Sequence, residues 1–408
     1  MSRRIAVAGA GMAAARFAQQ YRAHGGEAEV VLYGAEPRGP YNRVLLADVL
    51  TGRHDPEAIA LPQGAGTIVR SGCEVVGLDP VERRLRLSGD ESAGYDELVL
   101  ATGANPVLPP LRGLFEPHGR KDGHRAGLKE GVHAFRTLAD CARLAEEAAA
   151  AERAVVIGGG VLGVSAARAL AALGLPVEIV HQAPYLIERH LDERAGNALR
   201  AHLAALGVET YPGNRARALR GGARVTGVEL AGGYLLEADL VVLACGVRPR
   251  TGLAEAAGIT VRKGVVVDDR LAASAPGVYA IGDCAEHRGT VHGLAGPAWE
   301  QADLLAARLA GADGDARYTG SRPMTRLTAG TLEYAAFGEV GEDVPGTDVL
   351  RLVDPTRGSY KKLVLRGDRL VGGILLGDLA AAGDLARAYE RDDPLPEDPL
   401  DLLAPTIR

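Results

Sequence analysis

Arg4-Ile5-Ala6-Val7-Ala8-Gly9-Ala10-Gly11-Met12-Ala13-Ala14 and Ala154-Val155-Val156-Ile157-Gly158-Gly159-Gly160-Val161-Leu162-Gly163 decide the fold. Each is a short apolar run that enters a glycine turn and then opens an Ala/Leu-rich segment. In such a strand–turn–helix the first glycine makes the tight turn and the second lets backbone approach a pyrophosphate. The third position must be small so that the helix packs on the strand. Ala14 holds that third place in the first copy. The helix N-terminus then offers free N–H groups and a partial positive charge to the phosphates. One glycine turn is a weak signal, whereas two in one chain are a strong one. Two dinucleotides in one chain suggest that electrons pass from one to the other.

Outward from the first turn, a helix is expected over about residues 13–24, followed by a strand over 28–33. That strand ends near Glu36, at the spacing of an acid that accepts hydrogen bonds from ribose hydroxyls. Tyr95 to Gly103 reads as a strand entering another glycine turn. The second copy repeats the plan with a strand over 177–180 and a closing strand from Ala238 to Gly246. "LVLATG" and "VVLACG" thus end two similar units, which points to duplication. A further strand ends in Gly282-Asp283, and Gly296-Pro297-Ala298-Trp299 opens a helix with proline in its first turn. From about Tyr318 the chain becomes strand-rich, and from Arg391 it is rich in Pro and Asp. The expected fold class is α/β, with two Rossmann-like dinucleotide-binding domains and a small C-terminal α+β domain. The expected division is residues 1–109 with 240–315, then 110–239, then 316–408.

The 408 residues carry a net charge of −6, so no broad nucleic-acid footprint is expected. The four cysteines, Cys73, Cys141, Cys245 and Cys284, are scattered with no C-x-x-C pair, which argues against a metal site. The first strand begins at about residue 4, leaving no room for a signal peptide, and no apolar run is long enough to span a bilayer. A cytoplasmic protein without a membrane partner is expected. Residues 113–131 carry His118, Arg120, Lys121, His124, Arg125 and Lys129. This stretch reads first as a solvated surface loop, and second as a docking patch for an acidic electron acceptor. A metal site from its two histidines is the weakest reading.

Together these motifs resemble the FAD-dependent pyridine nucleotide-disulfide oxidoreductases of the glutathione-reductase fold, over almost the whole chain. Within them the chain looks most similar to the flavin module of the assimilatory NAD(P)H nitrite reductase large subunit. That likeness is carried by Gly34 to Pro37 with Tyr41 to Leu46, by Phe135 to Leu138, by Glu188 to Asp192, by Ala280 to Ala302 and by Tyr360 to Asp378. The resemblance implies FAD in the first unit and NADH or NADPH in the second. It implies an FAD site of Gly9, Gly11, Met12, Ala13, Ala14, Glu36, Pro37, Asn42, Arg43, Val75, Ala101, Thr102, Gly103, Arg136, Gly282, Asp283, Pro297, Ala298 and Trp299. In that site Arg43 neutralises phosphate charge, Glu36 holds the adenosine ribose, and Val75 packs near adenine. Asp283 accepts from the ribitol chain, and the helix opened by Pro297 stabilises negative charge near the flavin. For NAD(P)H the implied residues are Gly158, Gly160, Val161, Leu162, Gly163, His181, Arg189 and Gly246.

The departures from the family pattern are informative. Disulfide reductases of this kind carry a redox cysteine pair, and thiol peroxidases a single cysteine, in the stretch matching Tyr41–Leu50, where this chain has none. Related ferredoxin reductases often have a lysine there, and here Asp48 stands. Ser165 replaces the acid that usually lies near the nicotinamide, and Ser165 and Trp299 are the candidates near the reacting rings. His181 stands where an acid would favour NADH, which with Arg189 leaves the coenzyme open. The chain has neither the cysteines nor the length for the iron–sulfur and sirohaem modules of nitrite reductase. The favoured function is an FAD-dependent NAD(P)H reductase component that passes electrons to a redox protein, with a homodimer compatible. The alternatives are a self-sufficient NAD(P)H oxidase or small-molecule reductase, and a flavin-bound redox sensor with little turnover.

Overall fold

The computed structural model describes residues 3–116, 127–329, 332–341, 345–354 and 356–403. The chain opens with β1 (Arg4–Ala8), α1 (Met12–Ala23), β2 (Glu29–Gly34), β3 (Thr67–Ser71) and β4 (Glu97–Leu100). It continues through β5 (Val132–Ala134), α2 (Leu138–Ala148), β6 (Ala154–Ile157), α3 (Val161–Ala172), β7 (Val177–Val180), α4 (Glu193–Ala205), β8 (Val208–Tyr211) and β9 (Leu240–Leu243). Then come β10 (Val278–Ala280) and α5 (Ala295–Leu309), with shorter strands between these elements.

Two compact units result, one of Met1–Leu45, His54–Asn105 and Val247–Ser321, the other of Leu46–Arg53, Pro106–Gly246 and Arg322–Arg408. The first is built on a parallel sheet of order β10-β4-β1-β2-β3. Its inner strands β1, β2 and β4 are buried on both faces, so Ile5, Val7, Val30, Leu32, Leu98 and Val99 form a continuous apolar centre with Phe17 and Tyr21 of α1. Parallel sheets covered on both sides read as uninterrupted apolar runs for this reason.

The second unit contains a parallel sheet of order β8-β7-β6-β9-β5. Four strands keep the same relation, β9-β6-β7-β8 matching β4-β1-β2-β3, so the duplication seen in the glycine turns extends to the topology, while the outer strand comes last along the chain in the first sheet (β10) and first in the second (β5). Residues 240–243, set beside residues 1–109 in the expected division, are also the closing strand of the second copy. They form β9 and hydrogen-bond to β6, because their four apolar residues complete the second core. The chain leaves the second unit only after Gly246.

The C-terminal region forms β11 (Met324–Ala329), β12 (Leu332–Gly338), β13 (Asp348–Asp354), β14 (Ser359–Arg366) and β15 (Arg369–Leu376), an antiparallel sheet of order β11-β12-β15-β14-β13. The helix α6 (Ala382–Arg391) lies on β15 and adds Leu385 to a core with Leu363, Leu370 and Leu375. Lys362, on β14, is fully buried and meets Asp192, the N-cap of α4, at 3.1 Å. Tyr360 donates to the same carboxylate at 2.6 Å, and the Ala195 amide does so at 2.9 Å. Lys362 also donates to the carbonyls of Val340 and Gly341.

Candidate functional site

The first glycine turn is dictated by steric necessity. Gly9 has φ +118, and a Cβ there would lie 2.1 Å from the Ala101 carbonyl oxygen. Its amide donates to Tyr33 at 2.9 Å, and the Ala101 amide donates to Ala8 at 2.9 Å, so β1, β2 and β4 meet under the turn. Gly11 is the N-cap of α1, and a Cβ on it would meet nothing within 4 Å. That open space is the cradle a dinucleotide needs. Gly282 closes it: at φ +75 its Cβ would meet Ala13 at 3.1 Å and Ala298 at 3.7 Å. The starts of α1 and α5 are therefore drawn together around Gly282. Its amide donates to buried Gln301 at 2.7 Å, a contact that sequence reasoning missed. Arg16 and Asp303 tie the two helices further with contacts of 2.6 and 2.8 Å.

Neither α1 nor α5 has a side-chain cap or an acid in its first turn, nor does α3. By contrast, α2 and α4 are capped by Thr137 and Asp192. The first N–H groups of a helix need a partner. At α1, α3 and α5 the sequence leaves that role to something other than a side chain, and anions suit it.

Glu36 stands half-buried beyond β2 as expected, but both of its oxygens are engaged. One pairs with Arg43, and the other accepts from the Tyr41 hydroxyl at 2.7 Å. Arg43 lies over the Tyr41 ring at 4.8 Å. Asn42 caps the Val44 amide at 3.0 Å, and Pro37 is exposed. The Thr102 hydroxyl donates to the Arg250 carbonyl at 2.7 Å, and Gly103 follows at φ +71. Val75 is half-buried against the first core, and Pro297, Ala298 and half-buried Trp299 form the first turn of α5 with Met12 and Ala14 at the start of α1. Asp283 is half-buried beside Gly282. Arg136 belongs to the second unit, where its amide donates to Asp140 at 3.1 Å.

The second turn repeats the first. Gly158 has φ +114, and a Cβ there would lie 2.3 Å from the Ala244 carbonyl oxygen. Its amide donates to Val180 at 2.9 Å. Gly160 faces open space, and a Cβ at Gly163 would sit 1.8 Å from the Gly158 carbonyl, so helix and strand are in contact there. Val161 and Leu162 begin α3, and exposed Gly246 follows β9 at φ +96. Ser165 donates to the Val161 carbonyl one turn back, at 2.8 Å. His181 is buried with Nδ1 accepting from the Gly159 amide at 3.1 Å and Nε2 facing Glu188 at 2.9 Å. Arg189 is exposed.

The cysteines do not offer a relay. All four are free, three of them buried, and burial pushes the thiols of Cys141 and Cys245 up to about 11 and raises that of Cys284. Of the basic stretch, residues 117–126 lie outside the described residues, including His118, Arg120, Lys121, His124 and Arg125. Lys129 departs from the expectation of a surface cation: it is buried and donates to the Gly221 carbonyl at 2.8 Å. Among the described residues no cluster of side chains could hold a metal ion, and no helix is long and apolar enough to cross a membrane.

Two glycine-turn sheets that share a four-strand order, each with an uncapped helix over an open cradle, define an oxidoreductase fold of two dinucleotide sites. The chain belongs to the pyridine nucleotide-disulphide oxidoreductase family, whose model matches residues 3–302. The rubredoxin NAD+ reductase C-terminal domain matches residues 323–392. The chain is 35% identical to a nitrite reductase [NAD(P)H] of Bacillus subtilis, over 91% of this chain and 45% of that protein. It is 32% identical to a rubredoxin-NAD(+) reductase of Alcanivorax borkumensis, over 79% of this chain and 83% of that one. A ferredoxin reductase from Rhodopseudomonas palustris has the same fold, with a TM-score of 0.83 and 28% identity over 93% of this chain and 92% of that one. The chain spans about half the length, or less, of the nitrite reductases it matches.

Proposed function

We propose that this chain is the reductase component of an electron-transfer system, accepting hydride from NAD(P)H at FAD and passing electrons to a separate redox protein. The observation that carries this is the meeting of Ala13, Gly282 and Ala298 at the uncapped ends of α1 and α5. The cradle fits an FAD pyrophosphate: it has backbone donors, no acid in either first turn, and space where a Cβ would stand. FAD, when bound, couples a two-electron donor to one-electron acceptors. Gly9, Gly11, Ala13 and Ala14 would hold its pyrophosphate, and Glu36, oriented by Arg43 and Tyr41, its ribose. The start of α5 would place N–H groups and a positive dipole end toward the flavin ring system, which favours negative charge there. Gly158, Gly160 and the start of α3 would take the coenzyme pyrophosphate. No side chain needs to act as a base, because orientation of donor and acceptor supplies much of such a rate.

The likeness to a rubredoxin reductase and a ferredoxin reductase supports a protein acceptor over a small one. A cytoplasmic location and a homodimer belong to the same reading, and are tested by cell fractionation and by light scattering. The central test is anaerobic mixing of the flavin-loaded chain with NADH and, separately, NADPH while following the visible flavin absorbance. Fast bleaching with either is expected. No bleaching with both would refute the reading, and rapid oxygen consumption without a partner would favour a self-sufficient oxidase.

A further inference from the structure

We infer that Glu188, held in place by His181, makes the second unit select NADH over NADPH. The inference rests on the proposed use of that unit for NAD(P)H. An acid able to bind ribose hydroxyls is expected just beyond the second strand of such a unit, and this chain has His181 there. The histidine does not replace the acid; it reaches for one. Its Nδ1 accepts the Gly159 amide, so the ring proton lies on Nε2 and is donated to Glu188 Oε2 at 2.9 Å. The imidazole is thus a neutral spacer between the glycine turn and a carboxylate that arrives from seven residues further on.

The surrounding chain is built to deliver that carboxylate. The Ile187 amide donates to the Gly159 carbonyl at 2.9 Å, so the segment is clamped to the turn on both sides of the Gly159 peptide. Ile187 has φ +55, a region that a β-branched residue enters only under strain. Such strain persists where the surroundings over-determine it, and it concentrates at ligand sites. Leu186 also presses on the turn: a Cβ on Gly159 would lie 2.4 Å from it. Glu188 remains one-third exposed, and its Oε1 accepts no hydrogen bond from any described residue. A free carboxylate oxygen beside the pyrophosphate turn can accept from a ribose 2′-hydroxyl. A 2′-phosphate would bring about −1.5 to −2 charges against it. Exposed Arg189 is the neighbouring cation that could reverse the preference, which makes it the control.

The test uses the flavin-loaded full chain and the non-reducing tetrahydro analogues of NADH and NADPH, titrated by calorimetry. The native chain should bind the NADH analogue more tightly by a factor on the order of 10 to 100, as expected for a screened charge opposition across a few ångströms. Glu188→Gln keeps an oxygen for His181 and removes the charge, and should compress that ratio to about threefold or less. Arg189→Ala should leave the ratio near its native value. A native ratio near one or favouring NADPH, an unchanged ratio in Glu188→Gln, or a larger change in Arg189→Ala would each overturn the inference alone. Binding of neither analogue would overturn the proposed function with it.

Discussion

Replacing Lys362 by Met isolates the energetics of the buried pair with Asp192. The two side chains are 0% and 1% exposed and 3.1 Å apart. At an effective dielectric of about 20, their attraction at this distance is about 5 kcal/mol. Removing one partner of such a pair costs about 3–5 kcal/mol, mostly as an uncompensated buried charge. The lower end applies here, because Asp192 keeps the Tyr360 hydroxyl and the Ala195 amide. A loss of about 3 kcal/mol is therefore expected for Lys362→Met. Asp192→Asn should cost a similar amount by stranding the ammonium, although Asn caps a helix about as well as Asp. The double variant, with both charges gone, should recover about 2 kcal/mol relative to the sum of the single losses. The readout is urea unfolding by far-ultraviolet circular dichroism at pH 7 and pH 5. In the native chain burial pushes the Asp192 carboxyl up, but the Tyr360, Ala195 and Lys362 contacts together bring it below its usual range. Its contribution is therefore present above the ordinary carboxylate pKa and lost as pH falls through the lowered folded value. Without Lys362 the carboxyl shifts upward, so the gap between native and Lys362→Met should narrow at the lower pH. A loss below about 1 kcal/mol, or strictly additive single losses, would refute this account.

Gly11→Val should leave the apoprotein folded, since nothing lies within 4 Å of the new Cβ, yet lower retained flavin by about tenfold, read from the flavin-to-protein absorbance ratio. Gly9→Ala, by contrast, drives a Cβ onto the Ala101 carbonyl at φ +118 and should lose both flavin and thermal stability. With the Cys245 thiol pushed up to about 11, roughly one molecule in 3,000 carries the thiolate at pH 7.5, so iodoacetamide should leave coenzyme-driven flavin bleaching unchanged. Ser165→Ala removes only a bond to the Val161 carbonyl and should change stability by less than about 0.5 kcal/mol and the bleaching rate by less than about twofold.

What could be read from the sequence was what short stretches of chain dictate. Gly9 and Gly158 sit where any Cβ would strike a strand carbonyl, so the need for glycine is written at a single position. The matched strand endings at Ala101 and Ala244 lie under those turns, and they exposed the duplication. Relations between distant residues were not visible. Asp192 and Lys362 are far apart in the chain, and neither position announces its partner. Lys129 looked like one cation in a basic run, yet its ammonium is folded in against Gly221. The coenzyme was left open because His181 was weighed with Arg189 alone, and its contact with Glu188, next to the unusual backbone at Ile187, is not visible in the sequence.

The nested chain path has a consequence for biosynthesis. The first sheet is begun by β1 to β4, but its outer strand β10 and the helix that faces α1 appear only after residues 101–277 have been made. At about 5–20 residues per second that interval is on the order of ten seconds or more. During it the nascent chain presents Ala13 without Gly282 or Ala298, and the edge of β4 without its neighbour. The inserted second sheet holds all five of its strands by residue 243 and can close first. The earlier-started cradle, proposed above as the FAD site, is therefore completed late in the life of the polypeptide, and an unpaired strand edge must be kept from other chains until then.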